Sequence, residues 1–157
     1  MAQEPARTTG TVERLRAERR AEAVWAGSLF EGSGSVSAGS RAFAGLPITW
    51  ASRTERADGR TSPEELLAAA HASCYCMALS HELAQADTPP ERLEATATVG
   101  FVAGEGVKFS HLVVNGRVPG IDQARFEEAA RAAGEGCPIS GALKGNIEIT
   151  VDATLAS

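Results

Sequence analysis

Residues 62–85, SPEELLAAAHASCYCMALSHELAQ, decide how the rest of the chain must be arranged. Ser62 is an N-cap residue, Pro63 suits the first helical position, and Glu65 follows the cap at the spacing of a capping box. The pattern predicts a helix that runs to 84–86 and closes ahead of Pro89-Pro90. Between Leu66 and Leu79 the one strongly polar side chain is His71, so the helix offers water no polar stripe. Such a helix is expected to be buried on most sides, and its alanines let other backbones come close. In a chain of 157 residues, covering one helix all round calls for a second subunit.

The segments on either side read as short strands. Glu22–Phe30 and Ser35–Ser40 form an expected hairpin, and Leu46–Arg53 is rich in strand formers around Ile48, Thr49 and Trp50. Arg53–Arg60 reads as a charged loop. Beyond the helix, Leu93–Val102 and Val107–Val118 alternate apolar and polar residues across a turn at Gly104-Glu105-Gly106. Ile121–Ala133 is an expected helix ended by Gly134-Glu135-Gly136. A shorter one follows through Leu143 with Cys137 at its N-cap, and Gly145–Leu155 is the last strand. The order β-β-β-α-β-β-α-α-β is that of an α+β domain. Residues 1–20, with Glu13, Arg14, Arg16, Glu18, Arg19 and Arg20 among few large apolar groups, read as a charged arm, helical or disordered. The folded domain is expected over 21–157.

Composition narrows the function. A chain that is 43% hydrophobic can bury a core, and a net charge of −5 argues against nucleic acid as a partner. No apolar run is long enough to span a membrane, and no secretory signal is legible, so a cytoplasmic protein is expected. Three cysteines are too few for a disulfide framework.

Those cysteines differ in what surrounds them. Cys74 lies mid-helix, where a cysteine on its own reads as packing before it reads as chemistry. Cys76, two positions on, points to another side of the helix and reads as packing. Cys137 stands at a helix N-terminus, where free N–H groups and the helix dipole favour thiolate; there the packing and chemical readings stand level. His71 and Cys74, at i and i+3, could share a metal with Cys137, but no CxxC pair supplies a further ligand. Spacing alone gives Arg53 and Glu64 no more than surface solvation or a helix-end charge.

Two longer motifs add to this. Thr61-Ser62-Pro63-Glu64-Glu65-Leu66-Leu67-Ala68-Ala69-Ala70-His71-Ala72-Ser73-Cys74, with Met77-Ala78-Leu79-Ser80 after it, resembles the signature of the OsmC/Ohr family of thiol peroxidases. Glu135-Gly136-Cys137-Pro138-Ile139-Ser140-Gly141-Ala142-Leu143 resembles that family's second cysteine motif, and His71 is closer to the OsmC branch. The resemblance covers all but the N-terminal arm. It implies antiparallel sheets packed around a long buried central helix, an intertwined homodimer, and reduction of organic hydroperoxides in a stress or detoxification role. By position, it implies Cys74 as the peroxidatic cysteine and Cys137 as the resolving one. Arg53 resembles the catalytic arginine, with Arg56 and Arg60 as outside candidates, and Glu64 takes the family's acidic position. It implies no metal, flavin or haem, and an external dithiol, such as a lipoylated protein, as reductant. Cys76 departs from the small residue common in the family. The alternative is a ligand-binding or redox-sensing domain of the same fold.

Physical chemistry joins these residues. A buried Cys74 needs a nearby cation to ionise, and a guanidinium held by a carboxylate supplies one. Yet Glu64 and Cys74 are ten positions apart on one helix, about 15 Å along its axis. An arginine held by Glu64 is therefore expected to reach Cys74 of the opposite subunit, with two copies of the helix antiparallel about a two-fold axis.

Overall fold

The computed structural model describes residues 17–157, so the stretch expected as an N-terminal arm lies outside the described residues up to position 16. The elements are β1 (Ala21–Ala26), β2 (Ser33–Ala38), β3 (Leu46–Ile48), α1 (Trp50–Thr54), α2 (Pro63–Gln85), β4 (Arg92–Val102), β5 (Gly106–Arg117), α3 (Gln123–Gly136), α4 (Pro138–Leu143) and β6 (Glu148–Leu155). They form two three-stranded sheets, β1-β2-β3 and β4-β5-β6, and the fold class is α+β.

The second sheet carries the core. Leu93, Ala95 and Ala97 alternate along β4, Leu112 and Val114 along β5, and Val151, Ala153 and Leu155 along β6. They meet two helical stripes. On α2, residues His71, Tyr75, Leu79 and Leu83 are buried at four-residue spacing; on α3, Phe126, Ala130 and Ala133 are buried. Tyr75 locks the two helices together, its hydroxyl donating to the Ala130 carbonyl at 2.7 Å. The Phe126 ring lies against the Cα of Gly116, where any side chain would collide with it.

Three expectations need correction. The sheets are not wholly antiparallel: β5 and β6 pair in parallel, Leu112 opposite Val151. The chain leaves β5 through α3 and α4 before returning, and a helical crossover of that kind brings a strand back in parallel. The strand expected over Leu46–Arg53 stops at Ile48. Thr49 and Ser52 form a reciprocal capping box, each side chain accepting the other's backbone N–H at 3.0 Å, and this starts α1. At Ser62 only half of the expected box forms. Its hydroxyl accepts the Glu65 N–H at 3.2 Å, while the Glu65 carboxylate takes the Thr61 hydroxyl at 2.8 Å instead. Within one chain, α2 is buried along one side and open along the other. Ala69, Ala70, Ser73 and Met77 are exposed, Met77 to 68%.

The first sheet is attached differently. β1, β2 and β3 pack chiefly on one another. Every residue of β1 is exposed, as are Leu29 and Phe30 beyond it. Its link to the rest runs through the end of β3, where Ile48 bridges Thr61, and through α1, whose Trp50 packs edge-on against Phe30 and against Phe101 of β4. Among the described residues no helix is long and apolar enough to cross a membrane.

Candidate active site

The buried stripe of α3 continues past the end of that helix. Phe126, Ala130, Ala133 and Cys137 recur at intervals of three or four, so the chain arrives at Cys137 with its side chain turned toward α2. Cys137 is both the C-cap of α3 and the N-cap of α4, with Pro138 at the first position of α4. On α2, Cys74 sits beside Tyr75, at the margin of the buried stripe. The two sulfurs are in hydrogen-bond contact at 3.3 Å, and both thiols are free. Joining them needs side-chain motion of about 1 Å, because a disulfide spans about 2 Å.

The pair is asymmetric in acidity and in access. Burial alone would push the Cys137 thiol up. That push is outweighed by the backbone N–H and hydroxyl of Ser140, by Cys74 and by the Ile139 N–H, which stabilise its thiolate and leave it below the usual thiol range. No single group makes a regular capping hydrogen bond to the sulfur; the effect is the sum of several. For Cys74, burial raises the pKa, an Ile139 N–H lowers it, and the neighbouring Cys137 raises it again, so the net shift is upward. Access runs the other way: Cys137 is 1% exposed, whereas Cys74 is half-buried at the edge of the open face of α2. Cys76 is half-buried next to β4, where burial raises its pKa and the backbone of Ala95 partly offsets this.

Behind the cysteines stands His71, fully buried. Its Nδ1 is 2.6 Å from the Ser110 hydroxyl and its Nε2 is 2.7 Å from the Ser140 hydroxyl. Burial lowers its pKa, so the ring is neutral. With both nitrogens engaged, it has no lone pair to offer a metal, and among the described residues no cluster of three or more His, Cys, Asp or Glu is arranged to hold one.

The other two residues singled out in the sequence meet at the opposite end of α2. α1 turns Arg53 back over the first turn of α2, where its Nε donates to Glu64 Oε1 and Oε2 at 3.0 and 3.2 Å and its Nη2 donates to Oε1 at 2.8 Å. Glu64 is buried and Arg53 half-buried, so the pair is shielded from water. The guanidinium also lies over the Phe101 ring, 4.1 Å from its centroid, and 5.9 Å from that of Trp50. Arg53, Glu64, Ala68, Ala97, Val99 and Phe101 line an open cleft of about 310 Å³. Arg56 is exposed and lies 4.0 Å from Asp58, and Arg60 is exposed in the same loop.

The structure thus brings Cys74 to Cys137, and Arg53 to Glu64, but within one chain it leaves the two pairs at different places along α2. Phe101 and Trp50, which bed the guanidinium, and Ser110 and Ser140, which hold His71, were not singled out by sequence reasoning. The Thr49-x-x-Ser52 box was a legible sign of α1. Nothing local marks the serines, which lie 39 and 69 positions from His71.

Comparison with known proteins gives consistent results. Residues 56–152 match the family model described as OsmC-like protein. The chain is 38% identical over 142 residues to Peroxiredoxin OsmC of Escherichia coli, covering 88% of this chain and 97% of that protein. It is 30% identical over 102 residues to the organic hydroperoxide resistance protein OhrA of Bacillus subtilis, covering 64% of this chain and 72% of the other. Among solved structures, the OsmC-like protein of Mycoplasma pneumoniae superposes with a TM-score of 0.70 at 17% identity, over 91% of this chain and all 100% of that one. A Legionella pneumophila organic hydroperoxide resistance protein, OsmC, gives 0.68 at 24% identity, over 88% and 99%. Those two likenesses concern the fold.

Proposed function

The chain belongs to the OsmC-like family, and we propose that it is a thiol peroxidase that reduces organic hydroperoxides to alcohols with Cys74 and Cys137. The observation that carries this reading is the 3.3 Å approach of two free thiols from separate elements. The relatives named peroxiredoxin and organic hydroperoxide resistance protein support the peroxidase class. Cys74 is the first thiol to react, because it borders the open face while Cys137 is enclosed. Its thiolate attacks one peroxide oxygen, the O–O bond breaks, the sulfur becomes a sulfenic acid, and the alkoxide leaves as alcohol on taking a proton. The Cys137 thiolate then attacks the Cys74 sulfur; an S–S bond forms, the S–O bond breaks and water departs. An external dithiol, for which a lipoylated protein is the family-implied candidate, returns both thiols. These steps need no metal, flavin or haem.

One chain lacks what the first step requires, since Cys74 has its pKa raised and the guanidinium is tied to Glu64 about ten residues up the helix, roughly 15 Å away. A second copy supplies the cation. Ala69, Ala70, Ser73 and Met77 form an open, small-residue face on α2, and Trp25, Leu29 and Phe30 are bare on the first sheet. Two such faces paired antiparallel about a two-fold axis set the Arg53–Glu64 end of one protomer beside Cys74 of its partner. Both sites are then equivalent, and each uses two chains.

The test is a titration of reduced protein with a small excess of an alkyl hydroperoxide. Two thiols should be lost per chain, with Cys74 and Cys137 joined and the mass lowered by two protons. An unchanged thiol count, with the hydroperoxide intact, would leave a ligand-binding domain in place of a peroxidase.

A further inference from the structure

Thr61 stands one residue ahead of the α2 N-cap and is buried. Its polar groups go to three different elements. The N–H donates to the Pro47 carbonyl of β3 at 2.9 Å, and the hydroxyl donates to Glu65 Oε1 in the first turn of α2 at 2.8 Å. The carbonyl accepts from the Ser52 hydroxyl of α1 at 2.9 Å. Thr61 is thus fixed to the start of α2, and Ser52 ties α1 to it. The residue after Ser52 is Arg53, and Glu64 is the neighbour of Glu65. The chain between the two helices cannot hold α1 in place: residues 55–60 are all exposed, and Asp58 and Gly59 turn it with φ of 47° and 78°. Where α1 sits therefore depends on its contacts and not on its tether.

The Ser52 hydroxyl has a single proton and two carbonyls within reach, those of Thr49 and Thr61, each at 2.9 Å. The Thr49 carbonyl, at the N-cap, already takes the first N–H of α1. α2 offers Thr61 no equivalent, because its first helical bond runs from the Leu66 N–H to the Ser62 carbonyl and the Glu65 N–H goes to the Ser62 hydroxyl. A buried carbonyl left without a donor is costly, so the proton belongs on the Thr61 side. The Ser52 oxygen meanwhile accepts the Thr49 N–H at 3.0 Å. We propose that Ser52 is a positioning residue for Arg53: the hydrogen bond it donates latches α1 to the start of α2 in the register at which the guanidinium meets Glu64 and Phe101. The latch is distinct from the capping box that Ser52 shares with Thr49. The box uses Ser52 as an acceptor within α1, whereas the latch uses it as a donor to another element. The catalytic meaning of the latch rests on the reading of Arg53 as the cation for Cys74; its structural meaning does not.

The first readout is the Arg53 Nε–H, which donates to Glu64 and is followed as a side-chain NMR signal identified by its loss in Arg53→Lys. Its exchange with water reports how often α1 lifts away. Ser52→Ala should speed that exchange about ten-fold, since it leaves a buried carbonyl unpaired. Ser52→Asp keeps an acceptor for the capping box but cannot donate, so it should behave as Ser52→Ala does. Ser52→Thr keeps a hydroxyl and should return the exchange to within about two-fold of wild type. Thr49→Ala removes the cap and leaves the latch, and should also stay within about two-fold. The second readout is kcat/KM for an alkyl hydroperoxide, which should fall about ten-fold in Ser52→Ala and recover in Ser52→Thr. Near-ultraviolet circular dichroism checks that each chain is folded. An unmoved Arg53 signal in folded Ser52→Ala or Ser52→Asp chains would overturn the proposal, as would a Thr variant that behaves like Ala or a Thr49→Ala chain that exchanges as fast as Ser52→Ala. Faster exchange with unchanged turnover would uphold the latch and overturn instead the role given to Arg53.

Discussion

The two ends of α2 solve different problems. At the N-terminal end, a charged pair is assembled from neighbours in the sequence: a capping box turns α1, and Arg53 closes on Glu64 and lies over Phe101. Toward its middle, Cys74 meets a thiol from 63 positions away, and the groups that lower that thiol's pKa are the N–H groups of Ser140 and Ile139, the Ser140 hydroxyl and Cys74 itself. One end holds a permanent charge with nothing to activate, and the other holds a nucleophile with nothing to ionise it. The difference teaches that, for the proposed chemistry, a single chain contains every group and holds them apart. In the proposed mechanism, that separation is what brings in a second copy.

The largest effect should come from the cysteine end. Cys74→Ser should lower turnover by about a thousand-fold or more, as expected for loss of a nucleophile. Cys137→Ser should permit one oxidation per chain and then stall, with Cys74 trapped as sulfenic acid or over-oxidised, as read by intact mass. Cys76→Ser should leave turnover essentially as it was. If Cys137 were the thiol oxidised first in the native protein, the roles of the two cysteines would be exchanged.

At the charged end the expected effect is smaller. Arg53→Lys keeps the charge but loses the fork on Glu64 and the flat contact with Phe101; kcat/KM for an alkyl hydroperoxide should fall about a hundred-fold. Equal activity of the lysine variant would show that charge alone suffices and that the aromatic bed is incidental.

Much of this contrast was readable in the sequence, and the unreadable part has a common cause. Ser62, Pro63 and Pro89-Pro90 mark the limits of α2, because caps and prolines act on their own neighbours. Cys137-Pro138 announces a helix start for the same reason. Trp50 and its β-rich surroundings hid α1, since propensity there outweighed a capping box of two small residues. The parallel return of β6, the place of Phe101 under Arg53 and the serines around His71 depend on contacts distant in sequence. No local pattern encodes them.

A titration separates the two ends more finely. If the Arg53 cation acts on Cys74 across the interface, Arg53→Ala removes the charge that favours thiolate. The Cys74 pKa should then rise by about one unit or more, and its alkylation should require correspondingly higher pH. The Cys137 midpoint, set by groups of its own chain, should stay in place. Peptide-resolved alkylation followed by mass spectrometry distinguishes the two thiols, and a shift confined to Cys137 would invert the account. The smallest effect concerns the scaffold. Tyr75→Phe deletes the hydroxyl that joins α2 to α3. It should cost about 1 kcal/mol of stability in urea unfolding and change turnover little, since it leaves both sulfurs in place.

The most direct test of shared sites is the activity of a mixed dimer that joins one Glu64→Ala chain to one Cys74→Ser chain. If each site takes Cys74 from one protomer and Glu64 from the other, one site of the pair carries both lesions and its twin carries neither. The mixed dimer should then recover about half of wild-type turnover by symmetry, although each parent homodimer is impaired. If both residues serve the same chain, every site carries one lesion. A mixed dimer no more active than its better parent would contradict the account.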